Sequence, residues 1–412
     1  MRVVHERCAG FDVHKKDVKA CAVWRDQEGN RQEEVRVYRT MTKDLLAMQD
    51  WLKAKGCQVV AMESTGVYWK PIFNLLEGEF EVMLVNPTHL KHVPGRKTDV
   101  KDCQWIAKLL QAGLLRGSFI PPKPIRELRD LTRHRSQVVG DHTRVINRIQ
   151  KTLEDANIKR ASVATDVWGA SGQQMSSAMT EGEEDPVTLA EMARGRMRSK
   201  RAELELALEG RLTEHHRFML KLLMDQAADL EKILQELNER IEEKVRPFDD
   251  VVERLDTIPG VDRVTGQTIV AEIGTDMSRF PTAGHLAAWG AMCPGNDESA
   301  GKRKSGRIRK GSRWLKVALI QAAHAAGSTK DTYLCALKGR LSGRRGKKRA
   351  AVAVGHSIVV SAYHIIQNGC TYSELGEDYL ERLDTKHHTR YYVKRLERLG
   401  YKVTLQTSPE AA

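Results

Sequence analysis

Hydrophobic and polar positions change rhythm partway along the chain. Through the first 120 residues, short apolar stretches alternate with turn formers. One such stretch ends in Gly10-Phe11-Asp12-Val13, and Val18 to Trp24 and Glu34 to Tyr38 read as further strands around the turn Gln27-Glu28-Gly29-Asn30. A helical rhythm follows from Leu45 to Lys53 and stops at Gly56. Gln58 to Met62 predicts a strand, Trp69 to Leu76 a helix, and Phe80 to Val85 a strand ending at Asn86-Pro87. A helix from Val100 to Ala112 closes this part.

From Pro121 the rhythm is helical. Ile125 to Glu154 predicts one long helix, whereas 157–186, rich in Ser, Gly and Ala and ending in Glu181-Gly182-Glu183-Glu184-Asp185-Pro186, is expected to be largely loop. Helical pattern resumes to about Val245. Within it Leu220, Leu223, Ala227, Leu230, Leu234, Leu237 and Ile241 alternate spacings of three and four, a heptad seam. A helix packed within its own domain and an intermolecular coiled coil both satisfy that seam. Pro247 ends the segment. The expected organisation is an α/β RNase H-like (RuvC-like) domain over 1–120 and a helical linker with the heptad seam over 121–250. A mostly α domain over 251–372 and a basic tail over 373–412, with an amphipathic stretch from Arg390 to Lys402, complete it.

Composition narrows the partners. A length of 412 residues allows two or three domains, and a net charge of +13 points to a polyanion. The seven cysteines form no Cys-x-x-Cys pair, which argues against a zinc site and a disulfide framework. No leading apolar segment reads as a signal peptide and no apolar run reads as a membrane span, so the expectation is a reducing cytoplasm without a membrane partner.

Four acidic residues carry candidate chemistry. Asp12 ends the first strand, Glu63 follows the strand Val59 to Met62, and Asp99 and Asp102 lie three apart at the start of a helix, on one face. An RNase H-like sheet sets its first strand beside its fourth, with the last helix lying across them. All four carboxylates would then share one edge. Such a group repels itself unless cations intervene, and two Mg²⁺ ions about 4 Å apart serve phosphodiester chemistry. Taken singly, each residue reads first as an ordinary turn or cap residue; the ordered set on these elements is what points to metal chemistry. Lys91, His92, Arg96, Lys97 and Lys101 give the pair a basic rim suited to phosphate, or simply a solvated charged loop.

The C-terminal part adds two features. Thr257-Ile258-Pro259-Gly260-Val261 before a helix reads as a helix-hairpin-helix turn, where Gly260 would leave backbone N–H groups for a DNA phosphate; a plain tight turn is the alternative. Further on, a serine in a glycine-flanked loop precedes Lys302, Arg303, Lys304, Arg307, Arg309, Lys310, Arg313 and Lys316, with no acid among them. A serine there could attack a phosphodiester while arginines stabilise the transition state. Residue types alone do not choose among Ser299, Ser305 and Ser312. A second basic run, Arg344, Arg345, Lys347, Lys348 and Arg349, leads into an apolar helix.

Taken together, the chain resembles the transposases of the insertion-sequence-110 family over nearly its whole length. The resemblance rests on Phe11-Asp12-Val13-His14-Lys15, on Met62-Glu63-Ser64-Thr65-Gly66-Val67-Tyr68-Trp69 and on Lys97-Thr98-Asp99-Val100-Lys101-Asp102. It rests equally on Ile258-Pro259-Gly260-Val261, on Cys293-Pro294-Gly295 with Glu298-Ser299-Ala300-Gly301-Lys302, and on Gly346-Lys347-Lys348-Arg349-Ala350. It implies that Asp12, Glu63, Asp99 and Asp102 are the family's DEDD set for Mg²⁺, as one or two ions that Mn²⁺ can replace. It also implies that Ser299 is the nucleophile of a covalent phosphoserine link. The implied partners are donor and target double-stranded DNA, a structured noncoding guide (bridge) RNA, and further copies of the chain in dimers and tetramers. The implied setting is the nucleoid of a bacterial cytoplasm. Two other functions fit the residues: a RuvC-like nuclease or Holliday-junction resolvase using water, and a non-catalytic architectural DNA-binding protein.

Overall fold

In the computed structural model, side chains and backbone are described for residues 3–64, 66–87, 102–295, 302, 308, 311–380, 382 and 389–405, and backbone alone for 297–299, 303–305, 381 and 385–388. The chain divides into two compact units, Met1–Ile120 and Pro121–Ala412.

The first unit is built on a five-stranded mixed sheet in the order β3-β2-β1-β4-β5. Its strands are β1 (Cys8–Val13), β2 (Asp17–Arg25), β3 (Arg31–Arg39), β4 (Val59–Glu63) and β5 (Glu81–Val85). The first three form an antiparallel meander, and β1, β4 and β5 run parallel. The first strand therefore lies beside the fourth, as expected. Strand alternation sorts the side chains between two faces. Phe11, Val13, Val60 and Met62 turn to the core shared with α1 (Thr42–Ala54) and α2 (Trp69–Leu76). Cys8, Val59 and Ala61 turn to the opposite core, which α3 (Asp102–Gln111) covers with Cys103, Ile106 and Leu110.

In the second unit, α4 (Lys123–Asp155) and α9 (Glu214–Val245) form a long antiparallel pair. Its direction follows from the contacts His142–Glu231, Arg135–Asn238 and Glu127–Lys244. The heptad seam is thus engaged inside its own unit. Leu220, Leu223 and Ala227 join Val145, Ile149 and Leu153 in one core, whereas Leu230, Leu234 and Leu237 are half-buried.

The segment expected to be loop contains α5 (Arg160–Val163) and α6 (Ala170–Glu181), followed by α7 (Pro186–Glu191) and α8 (Arg201–Leu208). Ile158, Met175 and Met179 join the α4–α9 core, and the Arg160 side chain, 1% exposed, donates to the Gly172 and Val167 carbonyls and to Ser176 Oγ. The small residues that suggested a loop are those that let the backbone close around this guanidinium: a Cβ at Gly172 would lie 2.3 Å from the Val167 oxygen.

The remaining helices are α10 (Asp249–Asp256), α11 (Arg263–Ile273), α12 (Ala283–Trp289), α13 (Arg313–Ala326), α14 (Tyr333–Arg345), α15 (Lys347–Asn368), α16 (Tyr379–Arg382) and α17 (Thr385–Arg398). By length and composition α15 could cross a membrane, contrary to the expectation that no run would qualify. Here Ala350, Val354, Ile358 and Ala362 are buried, and the helix packs against α12, α13 and α14 as a core element. A two-stranded hairpin, β6 (Asp297–Ser299) and β7 (Lys302–Ser305), stands between α12 and α13 where sequence reading expected loop. Its residues are mostly charged, so no apolar alternation announces it.

Candidate functional sites in the two units

Register explains how two of the carboxylates meet. Phe11 pairs with Met62 across the parallel strands β1 and β4, so the next residue on each strand is Asp12 and Glu63. Both alternate with core residues of the α1–α2 side and therefore stand on the α3 face of the sheet. Each is half-buried. The helix that carries Asp102 as its first residue packs across β1, β2 and β4.

Gly10 permits this approach. A Cβ there would lie 2.4 Å from the Ala107 nitrogen and 2.5 Å from the Cys103 oxygen, so only glycine lets the α3 backbone rest on β1. Burial pushes the Cys103 thiol of α3 up, and the charge of Asp12 acts in the same direction. Asp99, with the basic-rim residues Arg96, Lys97 and Lys101, lies outside the described residues. Among the described residues no three His, Cys, Asp or Glu groups are gathered as a metal cluster. The carboxylates that share the edge are nevertheless hard oxygen donors of the kind Mg²⁺ takes.

Two neighbours of Asp12 were not singled out in the sequence. His14 Nε2 lies 3.2 Å from Asp12 Oδ2. Lys19 sits directly opposite Asp12 on β2, hence on the same face. The signal for His14 was its spacing of two from Asp12, which puts both on one face of an extended chain. Nothing local marks Lys19, because its position depends on the hairpin register.

In the second unit, β6 ends at Ser299, whose register partner is Lys302, the first residue of β7. An antiparallel bridge between Pro294 and Ile308 closes the base of the hairpin. Ser305, on β7, is partnered by Asp297. Ser312 has a separate role: it caps α13, its Oγ accepting from the Leu315 N–H and donating to Glu272 Oε2. Beside the hairpin base lies an open groove of about 610 Å³, lined by Ile308, Gly311, Ile320 and the cations Arg313 and Lys316. Lys302 and Arg313 are exposed; for Arg303 and Lys304 the backbone alone is described, and Arg307, Arg309 and Lys310 lie outside the described residues. The second run, Arg344, Arg345, Lys347, Lys348 and Arg349, is exposed at the corner where Gly346, at φ +82°, joins α14 to α15.

The Pro-Gly turn joins α10 to α11, but its glycine is engaged in packing. A Cβ on Gly260 would lie 2.3 Å from the Ala326 nitrogen of α13. The helix it introduces is capped by the Asp262 carboxylate, which accepts from the Thr265 N–H.

A transposase family model of the DEDD IS110 type matches residues 9–158, which contain all four acidic positions. A second model, described as transposase of the IS116/IS110/IS902 family, matches residues 252–335, which contain the serine hairpin. The chain belongs to the IS110 family of transposases. Among its relatives is the insertion element IS116 uncharacterized 44.8 kDa protein of Streptomyces clavuligerus, 27% identical over 61% of this chain and 71% of that protein.

Proposed function

We propose that the protein cuts and rejoins DNA to move its own insertion element, using Ser299 as nucleophile and the Asp12, Glu63, Asp99 and Asp102 carboxylates as an Mg²⁺ site in an RNase H-like domain. The observation that carries this reading is the shared sheet face of Asp12 and Glu63, with α3 seated over it by Gly10. Bound there, Mg²⁺ would offset charge on the scissile phosphate. The serine hydroxyl oxygen forms a bond to phosphorus while the bond to the departing deoxyribose oxygen breaks. The proton lost by the serine balances the one gained by the leaving hydroxyl. The phosphodiester energy is kept in the phosphoserine link, so rejoining needs no ATP. Lys302, opposite Ser299, and the exposed Arg313 supply positive charge for the phosphate.

Donor and target DNA are the proposed substrates, with a structured RNA as guide and further copies of the chain as partners in the strand-exchange assembly. In this reading the hairpin belongs to a serine domain spanning 251–372, separated by the helical linker from the carboxylate domain. Of the three candidate serines, Ser312 is accounted for by its cap, which favours the hairpin tip. The test is a covalent adduct between protein and element-end DNA that survives denaturant. Ser299→Ala is expected to abolish it and Ser305→Ala to retain it. An adduct that persists in Ser299→Ala overturns the assignment, and DNA cut in Mg²⁺ without any adduct supports a water-using nuclease instead.

A further inference from the structure

Glu272, near the end of α11, is a carboxylate with 0% side-chain exposure. Three bonds compensate its charge. Arg133 of α4 grips it with both arms of the guanidinium, Nε to Oε1 at 2.6 Å and Nη2 to Oε2 at 2.9 Å. The third donor is the Ser312 hydroxyl, at 2.8 Å from Oε2. One turn earlier on α4, Arg129 donates to the Ala271 and Glu272 carbonyls at 2.9 and 2.6 Å, fixing the backbone of the same helix end.

This buried knot stands at the root of the serine hairpin. Ser312 is the residue at which the chain leaves the hairpin and enters α13. Gly311, just before it, nests where a Cβ would lie 2.5 Å from the Trp289 oxygen and 2.7 Å from the Ala291 Cβ, at the other root of the same hairpin. Ala291 itself holds a left-handed φ of 56°, a conformation that L-residues adopt at a cost. The two roots are thereby drawn together, and the Pro294–Ile308 bridge closes above them. A cap alone would not need a buried carboxylate: the Ser312 oxygen already accepts from the Leu315 N–H. The additional bond, donated to a buried carboxylate, fixes the direction of the hydroxyl as well as the cap.

We infer that the Arg133–Glu272–Ser312 chain is a positioning device that fixes the hairpin carrying Ser299 relative to the long helix α4. The inference rests on the proposed role of Ser299. Glu272 touches no reacting group, and its effect is on where the nucleophile stands. Misplacement of a reacting group by an ångström costs about 100-fold in rate, while DNA affinity, set by many cations, is expected to stay.

The experiment uses the full-length protein with element-end DNA, comparing Glu272→Gln, Ser312→Asp, Ser312→Thr and Ser299→Ala. Adduct rate at saturating DNA, DNA affinity and folded fraction are measured for each. Aspartate is as good an N-cap as serine but sets a second carboxylate against Glu272, so it keeps the cap and breaks the chain. Glu272→Gln and Ser312→Asp should slow adduct formation by about 10- to 100-fold with affinity unchanged, and Ser312→Thr should restore a rate near the wild type. The inference is overturned if Ser312→Asp reacts at the wild-type rate, or if every loss simply follows the unfolded fraction. Ser299→Ala separates the two claims. If it still forms adduct, the nucleophile assignment fails; if it does not while the other variants react normally, the positioning role alone fails.

Discussion

An alanine at position 10 would press its Cβ to 2.4 Å from the Ala107 nitrogen and force α3 away from β1. Gly10→Ala is expected to cost about 1–3 kcal/mol through overpacking and to reduce strand cleavage, because Asp102 travels with the helix. Thermal melts beside a cleavage assay check both; a variant with unchanged melting and unchanged cleavage would contradict the packing argument. The thiols of this unit give a second residue-scale test. Burial pushes Cys8 and Cys21 up to about 12 and Cys57 up to about 11, from an ordinary value of 9.0. A thiol whose folded pKa is raised contributes stability that is complete below its unfolded value and is lost as pH climbs through the folded one. Stability should therefore decline between about pH 9 and pH 12. At pH 8 a thiol reagent should label the exposed Cys370 rapidly and leave Cys8, Cys21, Cys57 and Cys103 intact. Fast labelling of the buried four would show the sheet to be looser than described.

At the scale of elements, the α4–α9 pair predicts unequal sensitivity along one seam. Leu220→Ala should cost about 2–5 kcal/mol, the usual penalty for emptying a closed core site. Leu234→Ala, from a half-buried position, should cost clearly less. Denaturant melts would measure both, and equal penalties would mean that the middle of the seam is covered in solution. The seam itself was legible from the spacing of Leu220 to Ile241, but spacing does not name the partner: α4 supplies it here through Val145, Ile149 and Leu153. The meander, the strand beside Glu63 and the long α4 were also readable, because each follows from local periodicity. The 157–181 helices were not, since Met175 and Met179 are their sparse apolar anchors and the buried Arg160, bonded to carbonyls, adds no hydrophobic signal. Nor was the serine hairpin, whose polar strands carry no alternating signal. The shared face of Asp12 and Glu63 was legible from their positions at strand ends, whereas Lys19 needed the register and Gly260 needed the helix it packs against.

For the whole molecule, a net charge of +13 predicts DNA binding that weakens steeply with salt. Arg344, Arg345, Lys347, Lys348 and Arg349 are exposed together at one helix corner. Replacing Arg345, Lys348 and Arg349 with glutamine should reduce the slope of log affinity against log salt by about 0.9 for each DNA phosphate that is no longer neutralised. An unchanged slope would remove this corner from the DNA interface. In the proposed reaction, DNA cleavage depends both on the carboxylate edge of the first unit and on the serine of the second. Its most direct measurement is denaturant-resistant adduct formation on element-end DNA in Mg²⁺ and in chelator, for wild type, Asp12→Asn, Glu63→Gln and Ser299→Ala, each shown to be folded. Adduct is expected for the wild type in Mg²⁺ only, and none for the three variants. Adduct formed at the wild-type rate by Asp12→Asn and Glu63→Gln, or by the wild type in chelator, would contradict this dependence.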